Sequence, residues 1–274
     1  MSDPLFFSSA VVRAPERLVL RGGRWSFVDI PVRYGLWLHP QFGPVLIDTG
    51  YTHRVTEGRE RPLSLKLYSA ILGPRLIKAA LPVANLRRHG FGPTDVSHII
   101  VTHFHADHIA ALADFPKARF LASGAAYEAL TGMTLRQKLH NGFFSELLPA
   151  DFRERLISID ARPSVTLPYD LGSGYDLFAD GSCLAVPLPG HALGHFGLLW
   201  PNASRPLLYA TDTQWVLQAI IEDRAPSGPA GLIYSDRNAA AASLKKVRQF
   251  ARHGGRVVLC HDPYDHTACA EAAQ

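Results

Sequence analysis

Hydrophobic residues in the first fifty positions fall in short runs rich in β-branched and aromatic side chains, a pattern typical of β-strands. Two of these runs are SFVDIPVRYGLWLHP and GPVLIDTG, and a turn containing Pro40 and Gly43 separates them. The arrangement predicts an antiparallel pair of strands.

The next stretch, at about residues 62–90, is apolar with a helical pattern, and Pro74 and Pro82 divide it into short helices. A second helical pattern covers about residues 131–156. Between these two inserts, SHIIVTH, ADHIAALADFP and ARFLA predict a strand, a helix and a strand in succession.

Short strands again dominate from about residue 155 to residue 200, joined by the turns LGSG and ADGS. A helix follows that Asp236 can cap and Gly254 can end, before a last strand in RVVLCHDP. One face of this helix is apolar: Ala240, Leu244, Val247 and Ala251. Each half has strands followed by helices, which predicts an α/β fold with two sheets packed face to face and helices outside.

Length and composition are those of a globular protein, with 274 residues of which 47% are hydrophobic and 19% charged. We expect one domain over residues 1–274. An apolar run of about 18 residues, which a membrane span requires, is absent from the sequence.

The N-terminal stretch has Asp3 where a secretory signal would carry positive charge, and Arg13 and Pro15 interrupt its apolar run. We therefore expect a cytoplasmic protein. The three cysteines are widely spaced without a CxxC pair, which fits a reducing compartment: Cys183, Cys260 and Cys269. The formal charge is +4, but Lys and Arg are scattered among acids, so no nucleic-acid partner is expected.

Candidate chemistry is concentrated in VTHFHADH, which follows a predicted strand. His103 and His105 are two residues apart and can project to the same side of an extended turn, and Asp107 and His108 come next. Imidazole is the commonest zinc ligand, so the cluster predicts a metal site. The alternative is a polar strand end that arose by chance.

Three further side chains able to bind metal each follow an apolar run: His191 in PLPGHALGH, Asp212 in LLYATDTQW and His261 in RVVLCHDP. Loops at one edge of a β scaffold can bring such residues together. Side chains alternate along a strand, so we expect Cys260 to point into the core when His261 points to the metal.

The order HxHxDH, PGHxxGH, an Asp after a strand and a terminal HDP resembles the metallo-β-lactamase superfamily of hydrolases, over about Pro31 to Pro263. The resemblance implies an αββα sandwich of two mixed sheets with the metals at one edge.

It also implies the ligand sets. One metal ion would be held by His103, His105 and His191, and the second by Asp107, His108 and His261, with Asp212 bridging the two. His195 would orient a ligand rather than bind metal. Asp48 would accept a hydrogen bond from a ligand histidine, or else serve as a turn former before Gly50.

Nitrogen and carboxylate ligands without thiolate favour two zinc ions, with manganese, cobalt or iron as alternatives. His105 argues against the di-iron oxygen-reducing branch, in which a glutamate is expected at this position. Two divalent ions lower the pKa of bound water from 15.7 toward about 7 and so supply hydroxide. Asp107 would carry the proton, and Asp107 and Asp212 would be the catalytic carboxylates.

Among branches with a bridging aspartate, the chain is most similar to quorum-quenching N-acyl-homoserine lactonases, through the helical insert after LIDTG and the HDP ending. This implies a small, neutral and partly apolar substrate. Thioesterases of the glyoxalase-II type and phosphodiesterases are the alternatives within the superfamily. A metal-binding scaffold without catalysis is the alternative outside enzymes.

Substrate contacts are less well defined by the sequence. In these lactonases a tyrosine three residues after the bridging aspartate assists the substrate, and Trp215 takes that position here. Tyr264 is a candidate hydrogen-bond donor, or a packed surface aromatic. The apolar insert Leu63 to Val83 is interpreted as a pocket wall or lid, a homodimer interface, or core. Phe143 and Phe144 can line the pocket or pack the second insert.

Overall fold

The structure is a computed structural model that describes residues 3–225 and 234–264, so Cys269 lies outside the described residues. The first of its two sheets has, in spatial order, β4 (Arg75–Leu76), β1 (Leu5–Pro15), β2 (Phe27–His39), β3 (Gly43–Ile47), β5 (His98–Ile100), β6 (Arg119–Ala122) and β7 (Leu156–Ser158). Strands β3, β5, β6 and β7 are parallel, and the other pairs are antiparallel. The predicted antiparallel pairing of β2 with β3 is confirmed.

The second sheet has, in spatial order, β13 (Arg256–Leu259), β12 (Leu207–Thr211), β11 (Phe196–Trp200), β10 (Leu184–Pro187), β9 (Gly172–Asp176) and β8 (Ser164–Leu167). Only the pairing of β12 with β13 is parallel among these described strands. Both sheets are therefore mixed, as predicted.

Helices cover the outer faces of the sheets. Their bounds are α1 (Glu16–Val19), α2 (His53–Thr56), α3 (Leu63–Leu72), α4 (Pro82–Arg88), α5 (Ala106–Ile109), α6 (Gly124–Thr131), α7 (Leu135–His140), α8 (Phe152–Arg155), α9 (Leu217–Ile221) and α10 (Arg237–Arg252). Three short 3₁₀ helices are also described: Lys78–Ala80, Leu112–Asp114 and Ser145–Leu147. Among the described residues, no helix combines the length and hydrophobicity that crossing a membrane requires.

Alternating side chains of each strand build separate layers of core. Val45 and Ile47 on β3 face the second sheet, where the Phe6 and Tyr209 rings lie 4.8 Å apart. Leu46, between them, packs instead among buried residues of the outer layer. On the far side, Val247 and Phe250 of α10 pack on the second sheet. This layering confirms the αββα sandwich.

Helix α10 agrees with its sequence signals. The Asp236 carboxylate accepts hydrogen bonds from the backbone N–H groups of Asn238 and Ala239 at 2.9 and 3.0 Å. Ala240 and Val247 on the predicted apolar face are buried. Gly254, just beyond the helix, has the left-handed φ of +88° that ends such helices readily.

Two predicted helices differ from the structure. The run from Ala106 to Pro116 forms only one α-helical turn, because Thr52 Oγ1 donates to the Ala110 carbonyl and Thr49 Oγ1 accepts from the Ala111 N–H. In the first insert, the residues after Pro74 pair with β1 as a short strand. The insert is therefore part helix and part sheet edge.

Candidate metal centre

Four strands of the two sheets end at the same edge of the sandwich, and the predicted ligands follow them. β5 leads to His103 and His105, β10 to His191, β12 to Asp212 and β13 to His261. These strands share a direction within their sheets, because β10 and β12 are each antiparallel to β11 and β12 is parallel to β13. Parallel direction places the carboxyl ends, and so the side chains, at one edge.

The structure brings the first predicted set together. The ligand atoms of His103, His105, His191 and Asp212 all lie within 4.8 Å of one another. His191 Nε2 is 3.0 Å from His105 Nδ1 and 3.4 Å from Asp212 Oδ2. Converging nitrogen and carboxylate atoms at these distances form a set that suits a cation such as zinc.

A second set lies on the other side of Asp212. His261 Nε2 is 3.3 Å from Asp212 Oδ2 and 3.3 Å from Asp107 Oδ2. His108 Nε2 is 3.3 Å from the same Asp212 oxygen and 3.7 Å from Asp107 Oδ2. Asp212 Oδ2 therefore lies between the two sets, at the position a bridging carboxylate requires.

Several polar atoms at this edge are buried without a hydrogen-bond partner in the described part of the chain: His103 Nε2, His108 Nε2 and Asp212 Oδ1. Leaving a buried donor or acceptor unsatisfied costs about 1–3 kcal/mol for each group. Coordination of metal ions would remove this cost, so the donor set fits a metal pair.

The charge states differ between the two sets. Burial, reinforced by neighbouring histidines, holds the pKa of His103 and of His191 well below the usual value, and burial also lowers that of His105. These imidazoles are neutral and ready to coordinate at neutral pH.

At His108 burial also disfavours the charged form, but the carboxylates of Asp48, Asp212 and Asp107 outweigh it and raise the pKa well above its usual value. The pKa of His261 is raised in the same direction, with burial again opposed first by Cys260 and then by Asp212 and Asp107. Burial raises the pKa of Asp107, yet His108 and His261 bring it down to about 2. When no metal is bound, the second set therefore contains protonated imidazoles beside ionised carboxylates.

Asp48 lies directly beneath His108. Its Oδ2 is 2.8 Å from His108 Nδ1, and its two oxygens accept the backbone N–H and the hydroxyl of Thr102 at 2.9 and 2.8 Å. The structure thus supports the predicted acceptor for a ligand histidine. Asp48 also has a left-handed φ of 55°, so it forms the turn as well.

Both nitrogens of His195 are occupied by groups other than a metal. Nδ1 lies 2.6 Å from the Leu188 carbonyl oxygen, and Nε2 bonds the Thr211 hydroxyl. The Asp212 N–H also donates to Nε2 at 3.4 Å. This geometry supports the predicted orienting role, since His195 holds the turn that carries Asp212.

Cys260 corrects one expectation. It packs in the core between the sheets, yet its Sγ lies within 4.8 Å of the ligand atoms of His108, Asp212 and His261. The prediction that it points into the core is confirmed, but the expected alternation with His261 was wrong, because β13 ends at Leu259 and strand alternation does not extend to residues 260 and 261. The thiol donates to the Arg33 carbonyl at 3.4 Å.

The two predicted substrate contacts lie beside other groups. Trp215 is half-buried against the small cluster that contains Val19, Leu20 and Ile30. The Tyr264 hydroxyl donates to a carboxylate oxygen of Glu16 at 2.5 Å on the surface. For Tyr264 this geometry favours the alternative of a packed surface aromatic.

Sequence reasoning missed several residues of the site. Thr102 was not singled out, although it fixes Asp48. Gly142, with φ +59°, packs on the His105 ring so closely that a Cβ there would lie 2.8 Å from His105 Cδ2. A glycine that interrupts the predicted helical pattern at about residues 131–156 was the only signal for it. Tyr51 and Tyr68, whose hydroxyls are 2.6 Å apart, were not identified either.

Comparison of the sequence with known proteins identifies a family and several relatives. The family model described as the Metallo-beta-lactamase superfamily matches residues 43–272. The N-acyl homoserine lactonase AttM of Rhizobium radiobacter is 29% identical over 255 residues, covering 90% of this chain and 88% of that protein. An N-acyl homoserine lactonase of Bacillus cereus is 24% identical over 245 residues, covering 89% and 86%.

Solved structures show the same fold at lower identity. A variant of the B. thuringiensis protein AiiA with N-decanoyl-L-homoserine bound at its active site aligns with a TM-score of 0.71 at 18% identity, covering 98% of this chain and 96% of that one. AidC, a dizinc quorum-quenching lactonase in complex with a product, aligns with a TM-score of 0.64 at 17% identity, covering 96% and 88%.

Proposed function

This chain belongs to the metallo-beta-lactamase superfamily, and we propose that it is a dinuclear metal-dependent hydrolase that opens lactone rings. N-acyl homoserine lactones are the first substrates to test, because relatives that match about nine-tenths of the chain are named N-acyl homoserine lactonases. Such a substrate is small, neutral and partly apolar.

The observation that carries the proposal is the position of one carboxylate oxygen. Asp212 Oδ2 lies 3.3–3.7 Å from the Nε2 atoms of four histidines that come from three distant parts of the chain: His103, His108, His191 and His261. A carboxylate at the centre of two imidazole sets suits a bridge between two cations. We assign His103, His105 and His191 to the first ion and Asp107, His108 and His261 to the second.

When bound, two divalent ions would lower the pKa of water toward about 7 and polarise the scissile carbonyl. The chain itself supplies the proton acceptor. Asp107 is a buried carboxylate, and its Oδ2 faces His261 at 3.3 Å. We propose that Asp107 takes up the proton that the attacking water gives up.

Zinc is the first candidate for both ions, since the donors are imidazole and carboxylate; manganese, cobalt and iron are the alternatives. We place the protein in the cytoplasm, which the free buried thiols of Cys183 and Cys260 fit. Formation of a homodimer stays a prediction. Its candidate surface is the outer side of α3, where Leu67 and Ile71 are 55% and 81% exposed.

The test combines metal analysis with a substrate panel. Purified protein should contain close to two metal ions per chain, and His103→Ala and His261→Ala should each contain at most one. An N-acyl homoserine lactone should be hydrolysed faster than S-lactoylglutathione and bis-p-nitrophenyl phosphate. A preference for either of the latter would favour the thioesterase or phosphodiesterase alternative, and a loaded but inert protein would favour the metal-binding scaffold.

A further inference from the structure

A pair of tyrosine hydroxyls lies in the wall beside the candidate metal centre. Tyr51 follows β3, three residues after Asp48, and its backbone N–H donates to Ser9 Oγ at 2.9 Å. Tyr68 projects from α3, and its hydroxyl oxygen is 2.6 Å from that of Tyr51. Tyr51 is buried, with 2% of its surface exposed, whereas Tyr68 is only partly buried.

The wall connects this pair to a metal ligand. The Tyr68 ring packs against Phe144, with centroids 4.8 Å apart. Phe144 is two residues after Gly142, which lies directly on the ring of His105. On the other side, Thr49 donates to the backbone carbonyl of His108 and so ties the segment before Tyr51 to the ligand turn. The two helical inserts thus meet where Tyr68 packs on Phe144, close in sequence to the glycine that lies on His105.

The protons of the pair are not all used within the protein. Burial raises the pKa of both phenols, and the nearby Asp107 carboxylate raises them further, so each hydroxyl keeps its proton at neutral pH. The bond between the two hydroxyls uses one proton. Within residues 3–225 and 234–264, the structure shows no acceptor for the other. A hydroxyl donor that is largely shielded from water is expected to have an acceptor, and a bound ligand can supply one.

We propose that Tyr68, held by Tyr51, donates a hydrogen bond to the ring oxygen of the substrate lactone. Tyr51 donates to the Tyr68 oxygen, which directs the Tyr68 proton outward, and Tyr68 is the partly exposed member that a ligand can reach. The ring oxygen gains negative charge as its bond to the carbonyl carbon opens, and a fixed donor stabilises that charge. Tyr68 keeps its proton throughout, and the ring oxygen takes up the proton that Asp107 accepted from the attacking water, so the opened ring ends in a hydroxyl group. This inference rests on the proposed lactonase function.

The test uses Tyr68→Phe and Tyr51→Phe as metal-loaded enzymes, with Tyr175→Phe on β9 as a matched control outside the site. Tyr68→Phe keeps the ring against Phe144 and removes only the hydroxyl. We expect kcat for an N-acyl homoserine lactone to fall about tenfold to a hundredfold in this variant. Tyr51→Phe should show a smaller loss, because Tyr68 keeps its proton but loses its fixed direction.

The corresponding thiolactone supplies a readout that a merely structural role would not change. Sulfur is a weak hydrogen-bond acceptor, so removing the donor should matter much less when sulfur replaces the ring oxygen. We expect the loss in Tyr68→Phe to be at least several-fold smaller with the thiolactone. Metal content and melting temperature should match those of the wild type.

Each other outcome overturns the proposal. Equal losses with lactone and thiolactone, or loss of metal in Tyr68→Phe, would assign the pair a structural role. Wild-type rates in Tyr68→Phe would refute the tyrosine contact while leaving the lactonase function intact. A wild-type protein that opens neither ring would refute the proposed function, and this inference with it.

Discussion

The Oδ2 atom of Asp48 lies 2.8 Å from Nδ1 of His108, and both side chains are completely buried. The contact aims the opposite nitrogen of His108 at Asp212 and Asp107. A carboxylate that holds a ligand imidazole in this way sets its orientation and its basicity.

Replacing this acceptor should weaken binding of the second metal ion in particular. In Asp48→Asn we expect the affinity for that ion to fall about tenfold to a hundredfold, because an amide accepts through one atom only. Titration of the metal-free protein against a competing chelator would measure it. Asp160→Asn is a matched control, since Asp160 also accepts a hydroxyl and a backbone N–H but lies in another part of the fold. Unchanged affinity in Asp48→Asn would contradict the assignment.

Metal binding should release protons from the second set. The pKa values of His108 and His261 are raised, so both imidazoles are protonated near neutral pH and must lose a proton to coordinate. His103 and His191 have lowered pKa values and are already neutral. As the pH falls from neutral, we therefore expect the second ion to dissociate before the first. Calorimetric titrations in buffers of different ionisation enthalpy, repeated at several pH values, would measure this proton release. Equal pH dependence of the affinities for the two ions would refute the prediction.

Cys260 should stay outside the coordination sphere although it is close. Its thiol donates to the Arg33 carbonyl, and Asp107 Oδ2 is available to complete the second set. Cobalt-loaded protein should then lack a thiolate-to-cobalt charge-transfer band in the near ultraviolet. Its spectrum should be the same in Cys260→Ser and in the control Cys183→Ser, a second buried thiol. A band that disappears only in Cys260→Ser would make Cys260 a ligand.

Gly142 should be required for the position of His105. Gly142→Ala places a Cβ 2.8 Å from His105 Cδ2, so the His105 ring must shift from its present position. Gly73→Ala is a matched control, because Gly73 has a similar φ of 56° but no atom within 4 Å of an added Cβ. Both variants should lose about 1–2 kcal/mol of stability from the left-handed backbone. Only Gly142→Ala should lose affinity for the first ion, and equal metal affinity in the two would count against the contact.

The elements with clear local signals were the ones that the sequence predicted best. β2, β3 and α10 follow from apolar runs, turn residues and the Asp236 cap, all of which act over a few residues. The short helix α5 and the strand β4 did not follow from local pattern. Hydrogen bonds from Thr49 and Thr52 end helix α5, and pairing with β1 forms strand β4. In both cases the deciding residues are far away in sequence.

The same distinction holds at the metal centre. The sequence alone determined the residue types of the candidate ligands, because imidazoles and carboxylates after apolar strands are recognisable one segment at a time. The tertiary structure decided that Asp212 Oδ2 lies between two histidine sets, that Cys260 turns toward the site, and that Tyr51 meets Tyr68. Those relationships join segments that are distant in sequence, and packing of two sheets and two inserts fixes them to within an ångström or so. Local residue patterns carry no such distances.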